Sequence, residues 1–417
     1  VFAAEPIFGD EADMRRKAWG RRKANQVDPG ALKDRLGTLE TALAQAQIGD
    51  SEAFVRFTYN AQFDPLENRP LHNWEKPIEI LPGFRIVVNG EQRYVEAGKI
   101  YVHAKSDNHE DWLGQGHFTT AALSGFKFLA HMARRGRLAE VASDDLEKWL
   151  TATLYFIAFE DSGNLLSTLA HLDPSKTSTA LKEVVSADLA RGNFPLELIE
   201  RIPLDAAPLT EAAPDLLNDF VAHYRNLSAS SPDTVKPENA PDSILQLVQT
   251  LVSRWARPDR SAAESAVELL AESGGQDALW RRAVCGLFEA HPVSTWRDFV
   301  LGPEGGDVDP ELAAALVQFS RSRPAPWFLQ ELTERELSIS YLRLAAWGDS
   351  HCRSGEEPPM FGPAADLARW RNECLNELAN RGTWAAMNEL NGLVATDREA
   401  LHVRAAYSRA RMQFRAR

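Results

Sequence analysis

The stretch Arg369–Ala395, RWRNECLNELANRGTWAAMNELNGLVA, decides how the chain is read. Its first half sets Trp370, Cys374 (or Leu375) and Leu378 at helical spacing, with Leu367 one turn upstream, so they share one helix face. Arg381-Gly382 then makes a turn, because glycine accepts a left-handed backbone at little cost. Thr383 caps the next helix, whose inner face is predicted to carry Trp384, Met387, Leu390 and Val394. Neither helix can bury its apolar stripe alone. Each needs the other, and the pair needs a neighbouring pair.

The same grammar recurs upstream. From Thr119 to Arg135, Ala122, Phe126, Leu129 and Ala133 recur at spacings of three and four, and Gly136 supplies the stop. From Ser143 to Phe159, Ser143 reads as the cap, Asp144 and Asp145 suit the positive helix start, and Leu146, Trp149, Leu150 and Leu154 form the buried stripe. Helices are also expected at 164–171, 178–191, 214–227, 242–257, 261–273, 277–290, 310–320, 333–347, 363–380, 383–395 and 397–415. One segment admits two readings. Asn89-Gly90 between β-branched residues is a hairpin signal, yet Tyr94, Val95, Gly98, Tyr101 and Val102 keep helical spacing. The helix, from about Gly90 to Lys105, is the favoured expectation.

The 417 residues are 44% hydrophobic and 25% charged, enough apolar content for two or three globular units or one elongated array. Proline and serine cluster between Ser228 and Asp242, with Pro232, Pro237 and Pro241, and a second glycine-rich loop runs from Gly302 to Pro310. The expected fold is therefore all-α: an α-solenoid of divergent HEAT/TPR-like helix pairs. Residues 1–227 and 243–417 are its two parts, with a linker at 228–242.

Composition excludes some functions. A formal net charge of −13 argues against a general nucleic-acid binder, since polyphosphate is repelled on average. No run of about 18 apolar residues and no signal peptide is present, which argues against a membrane span. Cys285, Cys352 and Cys374 are widely separated and odd in number; they form no disulfide framework or zinc spacing and fit a reducing cytoplasm. The chain opens on Val1-Phe2-Ala3 rather than Met and reads as a fragment of something longer.

No arrangement of residues names a reaction. The phosphate-binding pattern G-x-x-x-x-G-K-[ST] is absent. His103, His109 and His117 lie among Asp107, Glu110 and Asp111, but no two of these histidines have i, i+4 spacing, so the segment reads as polar surface held down by Trp112 and Leu113. His351-Cys352 are sequence neighbours and do not make a base–nucleophile pair. No cofactor or metal is expected. The partner-binding candidates are Arg15, Arg16, Trp19, Arg21 and Arg22, where cations interleave with an aromatic ring, and Trp296 and Trp327, which sit beside turns as candidate exposed anchors. The plainer reading of the basic run is a solvated helix face paired with Glu11 and Asp13.

The string RWRNECLNELANRGTWAAMNELNGLV, followed by LHVRAAYSRARMQFRAR, resembles the end of the helical-repeat sensor of bacterial STAND proteins with NACHT-type NTPase modules. The stretch LPGFRIVVNGEQRYVEAGKIYVHAKSDNHEDWL followed by TTAALSGFKFLAHM looks like another of their repeats, as does FGDEADMRRKAWGRR. The resemblance implies that the NTPase and effector lie outside these residues and that this part binds an invader component, often a phage protein. Oligomerisation would then proceed through a module not in this chain. It carries over no functional residue. Two other classes stay open: a constitutive HEAT-like scaffold for protein partners, and an α-helical enzyme with a pocket around His103–His117.

Overall fold

A computed structural model of the chain describes residues 29–64, 69–70, 76–106, 119–156, 162–202, 207–229, 240–274, 277–302, 310–319, 327–351, 363–396 and 401–416. The fold is all-α. The only extended pairing among the described residues is a two-residue antiparallel ladder, β1 (Phe63–Asp64) with β2 (Arg69–Pro70). The chain divides into two compact units, Val1–Leu216 and Leu217–Arg417.

The first unit contains α1 (Pro29–Gln47), α2 (Ser51–Ala61), α3 (Pro82–Ile86), α4 (Gly90–Lys105), α5 (Thr120–Arg134), α6 (Ser143–Tyr155), α7 (Ser162–Leu172), α8 (Pro174–Ala190) and α9 (Leu196–Arg201). The division falls inside the next helix, α10 (Ala207–Ala229). Helix α5 is the centre and packs on α2, α4, α6 and α7. Every residue from Ala122 to Met132 is buried, so this helix is enclosed all round rather than along the single stripe expected. Its polar members are satisfied: Ser124 Oγ donates to Thr120 O at 2.8 Å, Lys127 Nζ to Lys76 O, and His131 Nδ1 to Glu79. Thr119 caps it, accepting from Ala122 N at 3.1 Å. At the other end Gly136, with φ +63°, closes a Schellman motif through Arg137 N to Met132 O at 2.9 Å.

Two glycines set the helix spacing here. A methyl on Gly98 would stand 2.1 Å from the Phe128 ring, and one on Gly125 would stand 1.9 Å from the Trp149 indole. Each glycine therefore seats an aromatic ring of the adjoining helix. Phe54, Phe57, Phe84, Tyr94, Tyr101 and Phe128 join around them, with Phe54 stacked on Tyr101 at 4.6 Å between ring centroids.

The ambiguous Asn-Gly segment is helical, and α4 spans the residues expected. Asn89 has φ +51°, a left-handed residue that turns the chain into the helix instead of closing a hairpin. Ser143 is a correction: it is the first helical residue, and Ala142 takes the cap position with no side-chain bond.

The second unit continues with α11 (Ala240–Ala256), α12 (Arg260–Gly274), α13 (Ala278–Ala290), α14 (Pro292–Thr295), α15 (Pro310–Phe319), α16 (Glu334–His351), α17 (Pro363–Arg381), α18 (Trp384–Thr396) and α19 (Leu401–Ala416). A π-helical turn, Trp296–Leu301, extends α14, and a 3-10 turn, Trp327–Glu331, precedes α16. Asp277 and Thr383 cap α13 and α18, accepting from Trp280 N and Ala386 N at 3.0 Å each. The core gathers Phe288, Trp296, Phe328 and Trp370, with centroids 5.3 to 5.6 Å apart from Trp296 to Phe328 and Trp370. The most extensive helix packing in the first unit is α1 on α2 and on α4 and α6 on α8; in the second it is α11 on α13, α16 on α17 and α17 on α19.

The stripe Leu367, Trp370, Cys374, Leu375 and Leu378 is buried as expected. Trp384 is not: it is 63% exposed, and the buried residues of α18 are Ala386, Met387, Leu390 and Leu393. At about 100° per residue Trp384 lies some 120° round from Leu390, outside the stripe. The residues between Ala229 and Ala240, where the linker was expected, lie outside the described residues.

Candidate functional site

Helix α16 begins with a capping box. Glu336 N donates to Thr333 Oγ1 at 3.2 Å, and Thr333 N donates back to Glu336 Oε2 at 2.7 Å. The Glu336 carboxylate also accepts from Arg297, through Nε at 2.7 Å and Nη2 at 3.1 Å. The Arg297 hydrogen bond, set against partial burial, holds the Glu336 carboxyl below the ordinary carboxylate range.

Arg297 belongs to the π-helical turn, where Gly302 N donates to Arg297 O at 2.9 Å across five residues. Gly302 then leaves the turn with φ +53°. The wider turn aims Arg297 and Leu301 towards α16, which presents Arg335, Ile339 and Arg343 at successive i, i+4 positions. Together with Glu336 and Gly302 these residues line an open cleft of about 470 Å³. Its charged lining residues are Arg297, Arg335, Arg343 and Glu336. Arg335 Nη1 lies 3.6 Å from Glu389 Oε2. The cleft holds no nucleophile and no acid–base pair.

A second cavity of about 300 Å³ lies in the first unit among α6, α7 and α8. Val141, Leu146, Leu150 and Leu169 form its apolar wall, and the Lys176–Glu147 pair at 2.6 Å lies at its edge. The first unit also buries a polar network. His131, wholly enclosed, donates to Glu79 through Nδ1, with Glu91 3.8 Å from its Nε2; Arg134 pairs with Glu79 and Arg135 with Glu91. Burial alone raises the Glu79 carboxyl, but the bonds from His131 and its own backbone, with the charges of His131 and Arg134, bring it down to about 2. The network ties the segment at Glu79 to α5.

Of the residues expected to meet a partner, Arg15, Arg16, Trp19, Arg21 and Arg22 lie outside the described residues. Trp327 opens the 3-10 turn. Trp296 is a correction. It is fully buried and its indole N–H donates to Ser340 Oγ at 2.9 Å, because the π turn folds it into the core of the second unit. The exposed aromatic pair is instead Trp384 with Phe414, centroids 6.1 Å apart. Of the histidine-rich segment, His103 ends up on α4 with Nδ1 3.1 Å from Asp145 Oδ2, while His109 and His117 lie outside the described residues. Among the described residues no three His, Cys, Asp or Glu side chains converge as metal ligands, and no helix is long and apolar enough to cross a membrane.

Sequence reading missed the cleft. Its one linear signal is the Arg335–Ile339–Arg343 stripe, which looks like any solvated helix face until Arg297 is brought opposite. No protein-family model matches the chain, and no curated protein or solved structure is significantly similar to it.

Proposed function

We propose that the chain is the ligand-sensing helical-repeat module of a STAND-type antiphage defence protein, acting in the cytoplasm. It binds an invader protein, and modules outside these residues oligomerise and activate the effector. The observation that carries this reading is the sequence-local packing of amphipathic helices in both units. Helices that bury their stripes on near neighbours build an α-solenoid, whose long surface recognises folded targets through many modest contacts and a few aromatic or arginine anchors. The buried free thiols of Cys285 and Cys374 support a reducing compartment. The reading assigns no catalysis and no cofactor to this chain.

The test is capture with the full chain as bait from phage-infected and uninfected cells. Recovery of a phage protein from infected cells alone supports the sensor. A stable complex with the same host proteins in both supports the constitutive HEAT-like scaffold instead. Recovery of no specific partner in either sinks both.

A further inference from the structure

We propose that the outward face of α19 is a docking site for one amphipathic helix of a partner protein, a helix with an apolar stripe and carboxylates along its edge. The partner helix would lie along Leu401, Ala405, Ser408 and Met412, and its carboxylates would meet Arg411 and Arg415. This deepens the reading of the chain as a protein-recognition module and rests on it.

Helix α19 carries two stripes. One is buried: Val403, Ala406 and Ala410 pack the helix onto α17 and α18. At about 100° per residue, Leu401, Ala405, Ser408 and Met412 lie on the opposite side, and all four are exposed. Leu401 is 77% exposed and Met412 64%. Their spacing of i, i+4, i+7 and i+11 is the seam that one helix offers another, and it runs for about 16 Å. The relief of the seam suits a helix. Leu401 and Met412 stand at its ends, and the small side chains of Ala405 and Ser408 leave a saddle between them where a second helix axis can come close. The Ser408 hydroxyl donates to Arg404 O at 2.9 Å, so covering it with apolar side chain strands no donor.

Charge names the edges of the partner. The helix has arginines at 404, 409, 411 and 415 and no acidic residue. Arg409 is turned to Asn376 of α17 at 2.9 Å. Arg411 and Arg415 border the seam, are exposed, and make no hydrogen bond or ion pair among the described residues. A carboxylate-edged helix complements them. A second copy of α19 would set arginine against arginine, which disfavours self-pairing along this seam. The seam holds no aromatic side chain and only two large apolar ones, too little for a helix lying in a lipid interface. A nucleic-acid backbone would engage the arginines and leave Leu401 and Met412 wet.

The test uses the full chain and two fluorescein-labelled helical peptides with the same leucine seam, one edged with Glu and one with Lys so that neither pairs with itself, read by anisotropy. The Glu-edged peptide is expected to bind more tightly than about 1 mM and the Lys-edged peptide not to bind. Added salt should weaken the complex. Arg411→Glu should weaken it about tenfold or more, and Met412→Ser should weaken it too. Ala405→Phe adds apolar surface but fills the saddle, so it should also weaken the complex. All three are exposed positions, and the melting temperature should hold in each variant. Equal binding of the two peptides overturns the proposal, as does Glu-edged binding that Arg411→Glu leaves unchanged or that Ala405→Phe strengthens. Binding of phosphatidylserine vesicles in preference to the peptide overturns it in favour of a membrane surface, and a dimer that Met412→Ser dissociates overturns it in favour of a second copy. If the Glu-edged peptide fails to bind while capture from infected cells still recovers a phage protein, the seam is wrong and the module reading stands.

Discussion

Replacing Gly125 with alanine tests the packing of the first unit at its tightest point. The added methyl would sit 1.9 Å from Cη2 of Trp149, and ordinary contact begins at 3.4 Å, so the indole must retreat by 1.5 Å (3.4 − 1.9). It has nowhere to go: Trp149 is fully buried, beside Tyr101, and its Nε1 donates to Val102 O at 3.0 Å. Overpacking of a tight core costs about 1–3 kcal/mol. Weakening the indole hydrogen bond adds about 1 kcal/mol. Alanine's better helix propensity returns about 1 kcal/mol. With a rigid ring as the obstacle the upper half of the range applies, a net loss of about 2–3 kcal/mol. For a urea slope of about 2 kcal/mol/M the midpoint of the first unit should fall by about 1 M, followed by circular dichroism. Trp149→Leu removes the obstacle, so the double variant should lose clearly less than the sum of the singles. Gly37 on α1 is the control: nothing lies within 4 Å of a methyl there, and Gly37→Ala should gain about 0.5–1 kcal/mol. A Gly125→Ala protein as stable as the parent would refute the packing argument.

Other outcomes follow from the same structure. The Glu79 carboxyl is held at about 2 in the folded state against an ordinary 4.5, so the stability it supplies is complete above pH 4.5 and is lost as pH falls towards 2. The urea-midpoint deficit of Glu79→Gln should therefore be large at pH 6 and shrink at lower pH; a deficit that does not change with pH removes the ionised Glu79 from the account. Burial pushes the Cys285 and Cys374 thiols up to about 12, so in a Cys352→Ser background a thiol reagent should label neither until the protein is unfolded. Trp384→Ala should change the melting temperature by less than a degree or two, because the indole is mostly in water, yet weaken capture of the partner if the Trp384–Phe414 pair is an anchor.

Much of the helical architecture was legible because burial leaves a period in the sequence. Tyr94, Val95, Gly98, Tyr101 and Val102 are all buried in α4, and that shared phase outweighed the hairpin signal of Asn89-Gly90. Even Gly98, which looks like a gap in the stripe, is where Phe128 enters. Capping was partly legible: Thr383 acts as expected, while Ser143 gives way to Ala142, since a hydroxyl one residue late does not face the orphan amides. Trp384 was misplaced because a three-residue spacing drifts about 60° per step, and two steps carry a tryptophan off the buried face. Trp296 was misplaced for the opposite reason. It stands beside a turn in the sequence, but the turn is π-helical and bends inward.

Periodicity reports which side chains leave water; it does not report which polar groups meet. His131 finds Glu79 across 52 residues, and Arg297 finds Glu336 across 39. Nothing local to either partner marks the match. In the core this loses little, because an enclosed helix such as α5 declares itself through Phe126, Phe128 and Leu129 whatever His131 does. At the surface it hides which side chains face each other. Glu336 stands next to Arg335 in sequence, yet its carboxylate is taken by Arg297 from another element. Arg297→Ala should therefore lower the stability of the second unit, and Arg297→Ala combined with Glu336→Gln should lose less than the sum of the two single losses. Single losses that simply add would show that Arg297 and Glu336 are not coupled.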